Sequence, residues 1–173
     1  AETSRVPEGG GKNSQPSGMS TDFTLSGLPW IIAGAALRGQ RTNIRSLRQK
    51  FQYNFHSPVD NYLQYSPLLL TTGLKAAGVE GRSSWGRYAV SAAASYAVMA
   101  LLVNSIKYAA REQRPDGSTR NSFPSGHTAT AFAAATILHK EYGLTRSPWY
   151  SIGGYMMATA TGCMRVLNNR HWV

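Results

Sequence analysis

The residues with chemistry in them begin with two fixed cations and a glycine turn that ends on an imidazole. Lys107 and Arg114 stand seven residues apart in Lys107-Tyr-Ala-Ala-Arg-Glu-Gln-Arg114-Pro115. A polar stretch then leads to Pro124-Ser125-Gly126-His127. On a continuous helix a seven-residue spacing returns to the same face, so both cations leave together. Two such cations repel unless an anion lies between them. Taken alone, a solvated basic stripe extended by Arg111 is the plainer account of the pair. The turn that follows shifts the balance. Gly126 lets the backbone approach a ligand without a Cβ, and the free N–H groups at a helix start favour an anion. Ser125 is placed to cap that helix, to donate to a phosphoryl oxygen, or both, and His127 stands beside the bound group as an acid. Arg165 and His171 follow six residues apart, with Asn168-Asn169 between them to end a helix and turn the chain into the same site. An imidazole with a free nitrogen can attack phosphorus in line while its other nitrogen is oriented by a carboxylate. No such carboxylate is visible, since neither Asp116 nor Glu141 is well placed by sequence to serve His171. The residue types together point to phosphate-ester chemistry.

Helices must hold these groups, and the punctuation is helical from Ser26 onward. Ser26-Gly27-Leu28-Pro29 starts a short apolar helix to about Leu37, with Pro29 tolerated in its first turn. Thr42 to Phe55 has Ile44, Leu47, Phe51 and Phe55 on one stripe and Arg41, Arg45, Arg48 and Lys50 elsewhere, which predicts a basic amphipathic helix. Ser57-Pro58 opens a segment that restarts at Ser66-Pro67 and closes near Gly78. Ser83 or Ser84 caps the longest helix, about Trp85 to Arg111, which Pro115 terminates. Ser125 caps a helix from His127 to about Tyr142 that ends at Gly143, and Ser147-Pro148 opens a last one to about Asn168. No Val/Ile-rich alternating run predicts a strand, so the class is all-α. Residues 1–22, rich in Gly, Ser, Pro, Asn and Glu, read as a disordered leader or linker, and residues 23–173 as one domain.

Eighteen Lys plus Arg against eight Asp plus Glu give a formal charge of +10, so the natural partners are anions. Nucleic acid ranks last, because aromatic residues are not interleaved with the cations as stacking platforms. The single cysteine, Cys163, excludes an intrachain disulfide and a Cys-based metal cage. Tyr88–Ile106 and Ser147–Met164 carry no charge and approach spanning length. Their Ala, Ser, Thr, Gly and Tyr content and the negative mean hydropathy favour a soluble or membrane-associated envelope protein, with a spanning bundle left open. The basic stretch around Arg41 to Phe55 suits an anionic lipid surface, or equally an ordinary packed helix with a solvated basic face.

These motifs resemble those of the type 2 phosphatidic acid phosphatase and vanadium haloperoxidase superfamily. That family has a Lys, six residues and Arg-Pro; a Pro-Ser-Gly-His; and a Ser-Arg, five residues, His, three residues and Asp. Lys107 with Arg114-Pro115 matches the first, and Pro124 to His127 completes the second. Arg165 and His171 match the third, with Met164 in place of the usual Ser. The Asp of that motif would fall two positions beyond Val173, so the chain is read as C-terminally incomplete. The longer context is similar to envelope phosphatases of Bacteroides-like bacteria, lipid A phosphatases among them.

The resemblance implies a compact helical bundle of the acid phosphatase and haloperoxidase type, here ending before its last helix. It implies that Lys107, Arg114 and Arg165 hold the phosphoryl oxygens, with Ser125 and the Gly126 amide adding donors. His171 is then the nucleophile and His127 the acid that protonates the leaving oxygen, with no metal or cofactor required. His56 and His139 match no motif and are expected at the surface. The expected activity is a phosphomonoesterase of the bacterial cell envelope, periplasmic or membrane-associated, acting on a phosphorylated lipid or small phosphate ester. A vanadate-dependent haloperoxidase and a non-catalytic phosphate-binding domain are the alternatives. Oligomeric state is not indicated.

Overall fold

In a computed structural model of the chain, residues 39–52 and 55–171 are described, and the side chains of residues 51 and 52 are outside that description. The leader at 1–22 and the helix expected from Ser26 lie outside the described residues. The elements are α1 (Arg41–Gln52), α2 (Val59–Leu63), α3 (Ser66–Ala76), α4 (Trp85–Ala110), α5 (Gly126–Leu138), a π-helical turn (His139–Gly143) and α6 (Pro148–Leu167). No strand occurs among the described residues, and the protein is all-α.

The centre of the bundle is the pairing of α5 with α6, and small residues make it close. Ala131, Ala134 and Ala135 of α5 and Ala158 and Thr161 of α6 are fully buried. A Cβ at Gly154 would come within 3.0 Å of Leu138 Cδ2 and 3.5 Å of the Ala135 Cα. With so little apolar area per residue, this interface depends on tight approach and dispersion rather than on bulky side chains. Helix α5 also packs on α3 and α4, and α2 lies chiefly against α6. Serines cap as expected at two starts: Ser125 Oγ accepts from the Thr128 N–H at 3.3 Å, and Ser147 Oγ from that of Trp149 at 3.4 Å. Ser84 occupies the cap position of α4 but makes no side-chain cap bond.

Three expectations change. Helix α4 ends at Ala110, because Arg111 turns left-handed at φ 44° while its N–H still bonds the Lys107 carbonyl. Pro115 forbids a continued ladder and biases Arg114 out of helical geometry, so Arg114 sits in a loop rather than one helical repeat past Lys107. Helix α1 also turns cations inward, although its Lys50 stays exposed. Arg48 is buried with Nε donating to the Leu167 carbonyl at 2.9 Å. Arg45 Nη2 donates to the Pro115 carbonyl at 2.7 Å, and Arg41 pairs with Glu112 at 2.6 Å, while Leu47 is exposed. The open carbonyl at the C-terminus of α6 explains the Arg48 contact. His139, expected at the surface, is half-buried with Nδ1 2.7 Å from Ser151 Oγ. It opens the π turn that interrupts the predicted single helix to Tyr142.

Candidate active site

The loop between α4 and α5 is tied down at both ends, which is how a non-helical Arg114 still reaches the site. Arg114 N–H donates to the Thr119 carbonyl and accepts at its own carbonyl from Gly117 N–H, both at 2.9 Å, with Gly117 at φ 75° supplying the tight turn. Ser122 N–H bonds the Glu112 carbonyl at 2.8 Å, and Asp116 accepts from Ser118 and pairs with Arg170 at 3.3 Å. At the end of α4, Lys107 Nζ lies against the backbone of Gly126, 3.7 Å from where a Cβ would be.

A cleft of about 470 Å³ opens here, lined among others by Asp60, Asn61, Arg114, His127, Arg165 and Arg170. Arg165, Arg114 and Lys107 all act electrostatically on both His127 and His171, so the three cations converge on the two imidazoles. The buried Nε atoms of Arg114 and Arg165 have no hydrogen-bond partner among the described residues. A tetrahedral oxyanion would satisfy such donors. Ser125 accepts as a cap through Oγ, which leaves its hydroxyl hydrogen to donate elsewhere.

His171 is buried at 5 % exposure, with Nδ1 donating to the Ser122 carbonyl at 2.5 Å. That bond holds the proton on Nδ1 and leaves the Nε2 lone pair, toward which Arg165 Nη2 donates at 3.3 Å. Among the described residues, a backbone carbonyl orients the ring. Burial, with Arg165, Arg114 and Lys107 adding to it, pushes the His171 imidazole down to about 4. His127 is also held below the ordinary histidine value, first by burial and then by Arg165, against the opposing charge of Asp60. No group of three or more His, Cys, Asp or Glu side chains comes together among the described residues.

All seven residues singled out by sequence, Lys107, Arg114, Ser125, Gly126, His127, Arg165 and His171, come to this region. Two that spacing did not reveal come from α2. Asp60, buried at 1 % exposure, pairs with Arg165 at 2.8 Å, and Asn61 Oδ1 accepts from His127 Nε2 at 2.9 Å. They lie more than sixty residues upstream of the groups they touch, so no local pattern announces them. His56, expected as a plain surface residue, is exposed at the rim of the same cleft.

The small-residue bundle thus gathers a Lys, two Arg and two His into one region at the edge of this cleft. Residues 87–173 match the PAP2 superfamily, and the chain belongs to it. It is similar to the lipid A 1-phosphatase of Porphyromonas gingivalis, 48% identical over 146 residues that cover 84% of this chain and 33% of that protein. The chain therefore spans about a third of the length of that relative. No solved structure matches it.

Proposed function

We propose that the protein is a phosphomonoesterase of the bacterial envelope that hydrolyses a lipid or lipid-linked phosphate through a phosphohistidine on His171. The observation that carries this is the His171 ring itself, buried, neutral, with Nδ1–H committed to Ser122 and Nε2 beside Arg165. Nε2 attacks phosphorus and forms the P–N bond as the ester P–O bond breaks, and the leaving oxygen takes its proton from His127. Water then attacks the phosphohistidine, His127 accepts its proton, and inorganic phosphate leaves as the P–N bond breaks. Lys107, Arg114 and Arg165 with the Ser125 hydroxyl and Gly126 amide stabilise the charge on the equatorial oxygens, where preorganised donors act most strongly.

A lipid substrate is supported by the name of the Porphyromonas relative and by α4, which is long and apolar enough to cross a membrane. The same two observations support a membrane-associated envelope location. A charge-driven contact with anionic lipid rests on the +10 balance of the chain rather than on α1, whose Arg41, Arg45 and Arg48 engage Glu112, Pro115 and Leu167.

The test is rapid-quench trapping of labelled phosphoenzyme in the full-length protein. Wild type is expected to accumulate acid-labile phosphohistidine, and His171→Ala to lose both the label and turnover. Substantial turnover by that variant removes the assignment. Halide oxidation by added hydrogen peroxide in the presence of vanadate, in the absence of ester hydrolysis, would instead establish haloperoxidase chemistry.

A further inference from the structure

Helix α2 has only five residues, yet both ends of the catalytic cleft are tied to it. Its approach is fixed by a reciprocal pair of bonds to the end of α6. Ser57 N–H donates to Asn168 Oδ1 at 2.9 Å, and Asn168 Nδ2 donates to the Ser57 carbonyl at 2.8 Å. From that anchor, two consecutive side chains reach two different helices. Asp60 Oδ2 accepts from Arg165 Nη1 of α6, and Asn61 Oδ1 accepts from His127 Nε2 at the start of α5.

We propose that Asp60 and Asn61 are positioning residues that hold the two sides of the phosphate site in register, Asp60 through Arg165 and Asn61 through His127. This rests on the phosphatase reading above for what the two held groups do. The geometry of Arg165 supports it. One edge of the guanidinium is committed to Asp60, Nη2 faces His171, and Nε is buried with no partner among the described residues. The planar fork is thus oriented by the carboxylate at one edge with the other donors directed at the reacting region. Neutralising one cation of a three-cation cluster also limits how tightly the resting site grips a free phosphate. A hydrophobic pair of similar volume generally stabilises a fold as well as a buried ion pair does. Asn61 is exposed on the cleft, and its bond to His127 places the imidazole proton on Nε2. The charged groups facing His127 are Asp60 from α2, Lys107 from α4, Arg114 from the loop and Arg165 from α6, with His56 and Arg170 on the same cleft.

The experiment compares wild type, Asp60→Asn, Asn61→Ala and Asn61→Asp in the full-length protein. It measures kcat and KM for para-nitrophenyl phosphate against pH, and calorimetric binding of inorganic phosphate. Asp60→Asn should lower kcat by about 10–100-fold, by analogy with the loss when the partner that orients a metal ligand is removed. Inorganic phosphate should bind it as tightly as wild type or more so, because a negative charge beside the clamp is gone. Asn61→Ala should lower kcat with KM within about twofold of wild type. Asn61→Asp should move the alkaline limb of the profile up by about one pH unit, since a carboxylate favours protonated His127. Turnover within about threefold of wild type in both Asp60→Asn and Asn61→Ala overturns the proposal. So does parallel loss of kcat and phosphate binding in Asp60→Asn, or an unmoved limb in Asn61→Asp. If Asp60→Asn does not fold, the two exposed-site Asn61 variants decide. If wild type binds phosphate but hydrolyses no ester, the hydrolase reading fails by itself. The proposal is then judged by the His127 imidazole titration in Asn61→Asp, followed by NMR, which should shift upward if Asn61 orients that ring and stay in place if it does not.

Discussion

As the proposed nucleophile, His171 would attack only as a neutral ring, and burial among three cations keeps it neutral down to about pH 4. In the proposed role of acid His127 must be protonated, yet burial and Arg165 hold it below 6.5 in the free protein. The kcat/KM profile, which reports the free enzyme, should therefore be bell-shaped and acidic. Its acid limb should lie near the His171 value and its alkaline limb below 6.5. An optimum at neutral pH or above in steady-state assays would contradict these roles. Folding stability carries the same signature. Because the folded-state value of His171 is depressed, the unfolded chain binds its proton first. Stability should fall as pH drops from 6.5 toward about 4 and level off below. The size is about 3 kcal/mol at most by linkage. Thermal midpoints of wild type and His171→Asn should converge on acidification.

At the level of elements, the π turn has a consequence for packing that helix patterning hides. It rotates Glu141 into the protein, where Lys75 of α3 lies 3.2 Å away and both side chains are buried. Lys75 Nζ donates also to the Ser83 carbonyl at 2.6 Å, and Ser83 N–H donates to Glu141 Oε2 at 3.1 Å. Burial alone would raise the Glu141 carboxyl, but the bonds from Ser83 and Lys75 hold it below the ordinary carboxylate value. This triad fastens the loop before α4 to the end of α5, so it sets where the helix carrying Lys107 begins. Glu141→Gln keeps the shape but leaves the ammonium buried without a counter-charge. It should cost about 3–5 kcal/mol in chemical denaturation, and Lys75→Met in the same chain should recover part of it. A loss below about 1 kcal/mol would mean that water reaches Lys75.

Across the whole molecule, the largest unbalanced feature is α4. None of its most apolar stretch is buried among the described residues, and Val98, Leu101 and Leu102 are each more than half exposed. Its apolar groove runs from Ala94 to Ile106 and Pro124, ending beside Lys107 and Ser125. The proposed phosphate site thus opens next to an apolar surface suited to hydrocarbon. The full-length protein should fractionate with membranes and resist carbonate extraction. Val98→Lys with Leu101→Lys should release it, each charge costing about 2.5–3.5 kcal/mol in hydrocarbon. Release of wild type by salt alone would indicate a peripheral, charge-driven contact instead.

What the sequence determined by itself was the helical class, the helix starts at Ser57-Pro58, Ser125 and Ser147-Pro148, and a set of seven candidate residues that the fold brings into one region. Caps, prolines and motif spacings are local signals, and they act within a few residues of where they are written. The tertiary structure decided what no local signal encodes. Arg114 reaches the site from a loop tied by Arg45 and Glu112, not from a helical repeat after Lys107. Arg45 and Arg48 of α1 face carbonyls of distant elements, where sequence patterning had placed them toward solvent or lipid. Asp60 and Asn61 acquire partners 105 and 66 residues away only because Asn168 anchors α2 to the end of α6. A buried charge takes whichever partner the packed helices bring within hydrogen-bond reach, and that choice is made by the close α5–α6 approach and the anchors around it, not by neighbours in the chain.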